Sequence, residues 1–234
     1  MLGNYVNLLA VILGCLLGLM VRKGMKEAYK KIIMQAIALS VLFVGSVIAI
    51  GGLLHPESKS ILFIISLVVG GLIGELLGIE KVLTRFGMFL QSKVGTSENN
   101  VAHGFVTASL IFCVGTMAIV GSLESGLRGN HDILFAKSVI DGVTAMVLAS
   151  TLGIGVIFSA AAVFIYQGFI IIFSGYLESF LTEAMIREIS IIGGILIFGI
   201  GLTMLKIIEI KTVNLLPAVL IPVIYYIWIM PLFT

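Results

Sequence analysis

Apolar runs long enough to cross a bilayer follow one another along almost the whole chain, and the charges collect in the short stretches between them. A spanning helix needs about 20 mostly apolar residues. Candidate spans are 4–21, 33–54, 60–79, 102–123, 133–151, 155–177, 188–206 and 213–233. In hydrocarbon the backbone must satisfy its own hydrogen bonds, which such runs do as helices. The chain is 59% hydrophobic and 11% charged, with mean hydropathy +1.20, whereas a soluble domain is about one quarter charged. A soluble core cannot hide that much apolar surface. The expected fold class is therefore an all-α polytopic integral membrane protein of about eight transmembrane helices, forming a single transmembrane domain over residues 1–234.

The expected partners are the lipid bilayer and a small solute or ion. The 27 glycines allow close helix approach and also suit a homodimer. With a net charge of +2 and no long basic run, no nucleic-acid partner is expected. Cys15 and Cys113 fall inside apolar segments, where they are expected to pack rather than form a disulfide. No positive stretch precedes the first apolar run, so it reads as an uncleaved helix rather than a signal peptide.

The fifth and sixth spans are separated only by Ala-Ser-Thr-Leu-Gly-Ile-Gly-Val, where Gly153 and Gly155 can turn the chain. Basic residues set the orientation. Arg22, Lys23, Lys26, Lys30, Lys31, Lys81, Arg85, Lys93, Lys206 and Lys211 fall on one side if eight helices alternate. The opposite loops hold Lys59, Arg128 and Arg187 among the acidic Glu57, Glu124, Asp132, Glu178, Glu183 and Glu188. This places both termini outside a bacterial cytoplasmic membrane. A seven-span count would move Lys206 and Lys211 to the outer side.

Two segments resemble each other. Gly45-Ser46 and Gly51 match Gly115-Thr116 and Gly121, and Ile61-Leu62-Phe63 with Ser66-x-x-x-Gly70 match Ile133-Leu134-Phe135 with Ser138-x-x-x-Gly142. Ser190-x-x-x-Gly194 is a third candidate copy. The repeat unit is a two-helix hairpin, and the copies run parallel. Sites in repeat-built membrane proteins often lie where the repeats meet, near the midplane.

Lys137 and Asp141 sit four apart in the fifth span, on one helix face. Lys137 can snorkel outward, but Asp141 lies too deep for its short side chain to reach water. A charge at a helix centre costs on the order of 2.5–3.5 kcal/mol. The first repeat copy has Ile65 and Val69 at these places, so the hairpin does not itself require the charges. They serve solute or ion handling, or else an interhelical ion pair that fixes packing. Gln167, in the middle of the sixth span, either bridges helices or contacts substrate. Thr116 and Ser138 are further neutral candidates. Glu75 lines an inner vestibule or sits at the interface. Ser122 and Glu124 mark an outer mouth. Asn4, Asn7 and Asn214 read first as helix-end caps, or else mark discontinuous helices with exposed carbonyls, and Pro217 and Pro222 can kink the last span.

No zinc-protease, nucleotide-loop or serine-hydrolase motif is present, and His55, His103 and His131 are scattered. No enzyme activity, cofactor or metal is expected. The stretches "FCVGTMAIVGSLESGLRGNHDILFAKSVIDGV", "ASTLGIGVIFSAAAVFIYQG" and "NLLPA", together with Gly3-Asn4, Gly14 and Gly18, resemble a prokaryotic membrane family called domain of unknown function 554, the YqgA-like proteins. The resemblance spans nearly the whole chain. Where that family's pattern carries an Asp after Gly-Leu-x-Gly, this chain has Asn130, with Asp132 two residues on. The resemblance implies a membrane protein and brings no substrate with it. The residues point to a transporter or channel for a small polar solute or ion. A structural or regulatory membrane protein without cargo is the alternative.

Overall fold

The computed structural model describes residues 1–23, 26–82, 85, 89, 101–114, 116–178 and 181–232. Every regular element among the described residues is helical. In chain order these are α1 (Leu2–Lys23), α2 (Glu27–Leu53), α3 (Ser60–Leu77), α4 (Val101–Val114), α5 (Thr116–Leu127) and α6 (Asp132–Leu152). A 3₁₀ segment, Gly153–Phe158, leads to α7 (Ser159–Ile172), the short α8 (Ser174–Leu177) and α9 (Glu183–Met204). Six described stretches are long and apolar enough to cross a membrane, or seven if the bent pair α4–α5 forms one span. The chain is an all-α membrane protein.

It divides into two compact units. One comprises Met1–Ile37 and Leu83–Glu178, the other Ala38–Val82 and Ser179–Thr234. The two similar segments found in the sequence fall one in each unit.

In the first unit α1 lies against α6. A Cβ on Gly14 would strike the Gly142 carbonyl, and one on Gly18 the Met146 carbonyl. Only glycine lets the backbones come this close. The expected span 102–123 is not one straight helix. Val101–Cys113 and Met117–Leu127 meet at 59°, on either side of Gly115, which lies outside the described residues.

The segment Asp132–Ile172 is 41 residues long. On one straight helix Asp141 and Gln167 would stand about 39 Å apart at ~1.5 Å per residue. Both instead bond to the same side chain, Asn7, at 3.0 and 3.2 Å. The chain therefore folds back between them. The reversal begins at Gly153, whose φ of 82° and ψ of −159° suit glycine.

In the second unit the C-terminal half of α2 packs on α9 through glycines. Added Cβ atoms on Gly45 and Gly201 would meet the backbones of Phe198 and Leu42. The faces of Gly70 and Gly74 on α3 touch the backbones of Ala218 and Asn214. The expected final helix 213–233 is replaced by a succession of coils: 3₁₀ over Thr212–Leu220, α10 (Ile221–Ile224), a π turn over Tyr225–Ile229 and 3₁₀ over Met230–Leu232. Pro217 lies inside the first of these. It has no N–H and its ring clashes with the preceding turn, so a regular α-helix cannot run through it.

The expected span 188–206 also starts earlier. The Thr182 hydroxyl accepts the Met185 N–H at 3.2 Å and caps α9 at Glu183. Arg187 and Glu188 therefore lie within the helix rather than in an outer loop.

Candidate functional site

Lys137 and Asp141 form an ion pair along α6, with both side chains only 6% exposed. α6 is 21 residues long, and Asp141 lies about 14 Å from its N-terminal end at ~1.5 Å per residue. That is close to mid-helix. Because the pair is made within one helix, it does not tie two helices together, contrary to the interhelical alternative drawn from the sequence.

Two neighbouring helices cover the pair with polar side chains. Asn7 of α1 and Gln167 of α7 are both 0% exposed. The Asn7 amide nitrogen donates to Asp141 Oδ2 at 3.0 Å and to Gln167 Oε1 at 3.2 Å. The carboxylate fixes the orientation of Asn7, since the flipped amide would set one oxygen against another. Gln167 must then present its oxygen to Asn7, and its own amide nitrogen is left without a partner. One turn away on α1, Asn4 donates to the Phe164 carbonyl at 3.0 Å. The Lys137 ammonium lies 5.9 Å from the centre of the Phe112 ring, at cation–π range.

Asn4 Oδ1, Asn7 Oδ1 and Gln167 Nε2 are buried and unpartnered. Nearly all buried polar atoms in folded proteins are paired. Two of the three, on the hydrogen-bonded Asn7 and Gln167 beside the buried ion pair, and the third on Asn4 one turn along α1, leave hydrogen-bonding capacity that a polar ligand would use.

The other expected site residues lie elsewhere or are already engaged. The Ser138 hydroxyl is buried but donates to the Leu134 carbonyl at 2.6 Å, the back-bond common in membrane helices. Thr116 opens α5, and its side chain lies outside the described residues. Ser122 does not line a mouth: it is fully buried with its hydroxyl unpartnered, next to Gly121, which packs on Ile133. Glu124 is near the surface, paired with Arg128 at 2.7 Å.

Glu75 belongs to the second unit. Its side chain is 58% exposed, bonds Lys211 at 3.0 Å and accepts from the Asn214 amide at 2.6 Å. These bonds to Glu75 hold the Lys211 ammonium above the ordinary lysine range.

Asn7 and Glu188 also depart from their reading in the sequence. Asn7 reads as a cap, yet it sits inside α1 and joins α1, α6 and α7. The available signal was a second asparagine, Asn4, three residues earlier on the same face of an apolar helix. Glu188 reads as part of an acidic outer loop, yet it is 0% exposed in α9. It accepts the Lys59 backbone N–H at 2.8 Å at the start of α3. An anion there suits the helix N-terminus.

The sequence profile described as "Protein of unknown function (DUF554)" matches residues 2–227. The chain belongs to this family. It is 39% identical over 222 residues to "Uncharacterized membrane protein YdfK" of Bacillus subtilis (strain 168), covering 95% of this chain and 94% of that one. It is 27% identical over 225 residues to "Uncharacterized protein YqgA" of Escherichia coli (strain K12), covering 94% of each. No solved structure matches it. For this DUF554 member the name of the Bacillus subtilis relative agrees with the membrane fold, and the functional reading rests on its own side chains.

Proposed function

We propose that this chain is a transporter or channel for a small polar solute or ion, with its binding site at Lys137, Asp141, Asn7 and Gln167. One observation carries the reading: a buried polar cluster, drawn from three helices with Asp141 close to the middle of α6, with hydrogen-bonding capacity left over. Intramembrane ionisable residues of this kind mark solute and ion pathways. At the positions corresponding to Lys137 and Asp141 in the other similar segment, Ile65 and Val69 are 49% and 39% exposed. Leu62 and Leu134 are buried in both, as are Ser66 and Ser138. This supports a duplicated scaffold in which one copy has acquired a site.

The accompanying topology is eight spans with both termini outside a bacterial cytoplasmic membrane, in a protein that is not an enzyme. A homodimer fits the exposed apolar side chains of the helices, and no nucleic-acid partner is proposed. The reading without cargo draws support from Asn7, which ties three helices together and suits a scaffold.

Flux separates the two. Proteoliposomes containing the wild type or Asp141→Asn would be screened for uptake of monovalent ions, amino acids and organic acids at several pH values. Uptake by the wild type that is lost in the variant supports transport. Equal flux in the two proteins removes Asp141 from the pathway and leaves the scaffold reading.

A further inference from the structure

We infer that the cargo of this cluster is a small zwitterion bearing one ammonium and one carboxylate, the chemistry of a small amino acid. The inference rests on the reading above, that the cluster binds cargo. Lys137 and Asp141 cancel each other, so a ligand with net charge would leave an unbalanced charge at mid-membrane depth, where charge is costly. A net-neutral ligand avoids this.

The unpaired atoms then divide by chemistry. An ammonium carries three N–H donors. The cluster offers three acceptor groups: the Asp141 carboxylate, Asn7 Oδ1 and Asn4 Oδ1, the last two without partners. Asn4 and Asn7 are three apart on α1, so both lie on one face of that helix. A carboxylate needs donors. The cluster offers the Lys137 ammonium and Gln167 Nε2, the latter without a partner.

A zwitterion would therefore replace one internal ion pair with two. Its carboxylate would take Lys137 and its ammonium would take Asp141, and the total charge would be unchanged. Lys137 already occupies Asp141, and a lone cation would have to displace it. A Cβ added at Gly168, beside Gln167, would lie 3.2 Å from the Asn4 amide nitrogen, so α7 and α1 pack closely beside the cluster. Glycine and alanine, the smallest zwitterions of this class, are therefore the probes.

The test uses the full chain in lipid nanodiscs, with thermal shift and direct binding of glycine and alanine. Methylammonium, acetate, acetamide and sodium chloride are the single-function probes. The expected result is a saturable rise in Tm with glycine or alanine and none with the other four. Gln167→Glu keeps the shape but sets a carboxylate against the cargo's own. Amino-acid affinity should fall by a factor of about ten or more, the worth of a hydrogen bond to a charged group. Methylammonium should now stabilise the variant, a gain that a misfolded protein cannot show.

Stabilisation of the wild type by methylammonium, sodium or acetate but not by the zwitterions would overturn the inference and leave the transport reading standing. No stabilisation by any probe, with equal flux in Asp141→Asn, would overturn both.

Discussion

The pair Lys137–Asp141 makes a sharp prediction because stability and function separate there. Lys137→Met leaves a buried carboxylate with only the Asn7 amide as donor. Asp141→Asn leaves a buried ammonium with only an amide oxygen and the Phe112 ring nearby. Removing one member of a buried ion pair costs about 3–5 kcal/mol, while replacing both by groups of similar shape is often neutral. Both side chains are 6% exposed, so solvent screening does not reduce the single-variant cost. For a chain of this size about 1 kcal/mol shifts Tm by roughly 2–4 °C. Each single variant should therefore melt roughly 6–20 °C below wild type, with Lys137→Met the milder because Asn7 still serves the carboxylate. The double variant should return to within a few degrees of wild type. The assay is thermal unfolding of all four proteins in one detergent, read as a double-mutant cycle. A double variant that loses the sum of the single effects would refute the claim of a coupled buried pair. If the pair also binds cargo, the double variant will be stable and still inactive in flux.

Other expectations follow from the same packing. Gly14→Val should destabilise by about 1–3 kcal/mol, because its side chain would drive into the Gly142 carbonyl. Gly51→Ala should be neutral or mildly stabilising, since nothing lies within 4 Å of the added carbon; thermal unfolding checks both. Glu188→Gln keeps an acceptor for the Lys59 N–H and should melt near wild type. Glu188→Ala orphans that donor and should cost about 1–3 kcal/mol. Lys59, before α3, is held above the ordinary lysine range by its hydrogen bond to the Tyr225 hydroxyl. A pKa raised on folding adds stability that is full below the ordinary lysine value and is lost as pH rises through the raised one. Tyr225→Phe should flatten that alkaline fall in Tm, and an unchanged slope would assign it to another group.

Much of the architecture was legible because hydropathy is a local property. A bilayer demands about 20 apolar residues per helix, so the spans announce themselves in the chain whatever their neighbours are. Gly153 as a turn and Lys137–Asp141 as a same-face pair were readable for the same reason, since both depend on residues a few positions apart. Helix ends were less legible. α9 starting at Glu183, five residues before the expected span, is decided by a particular backbone bond, the Thr182 cap.

The site itself was only half visible. The charges showed in the sequence, but what surrounds them did not. Asn7 meets Asp141 across 134 residues and Gln167 across 160. No periodicity or spacing encodes a contact at that range. The sequence alone determined that this protein lives in a membrane and keeps two charges inside it, because the cost of exposing apolar surface and of burying charge depends on composition. Only the tertiary structure decided that α1 and α7 close over those charges with Asn7 and Gln167, because glycine-tight helix packing and the reversal at Gly153 bring together side chains that are far apart in the chain.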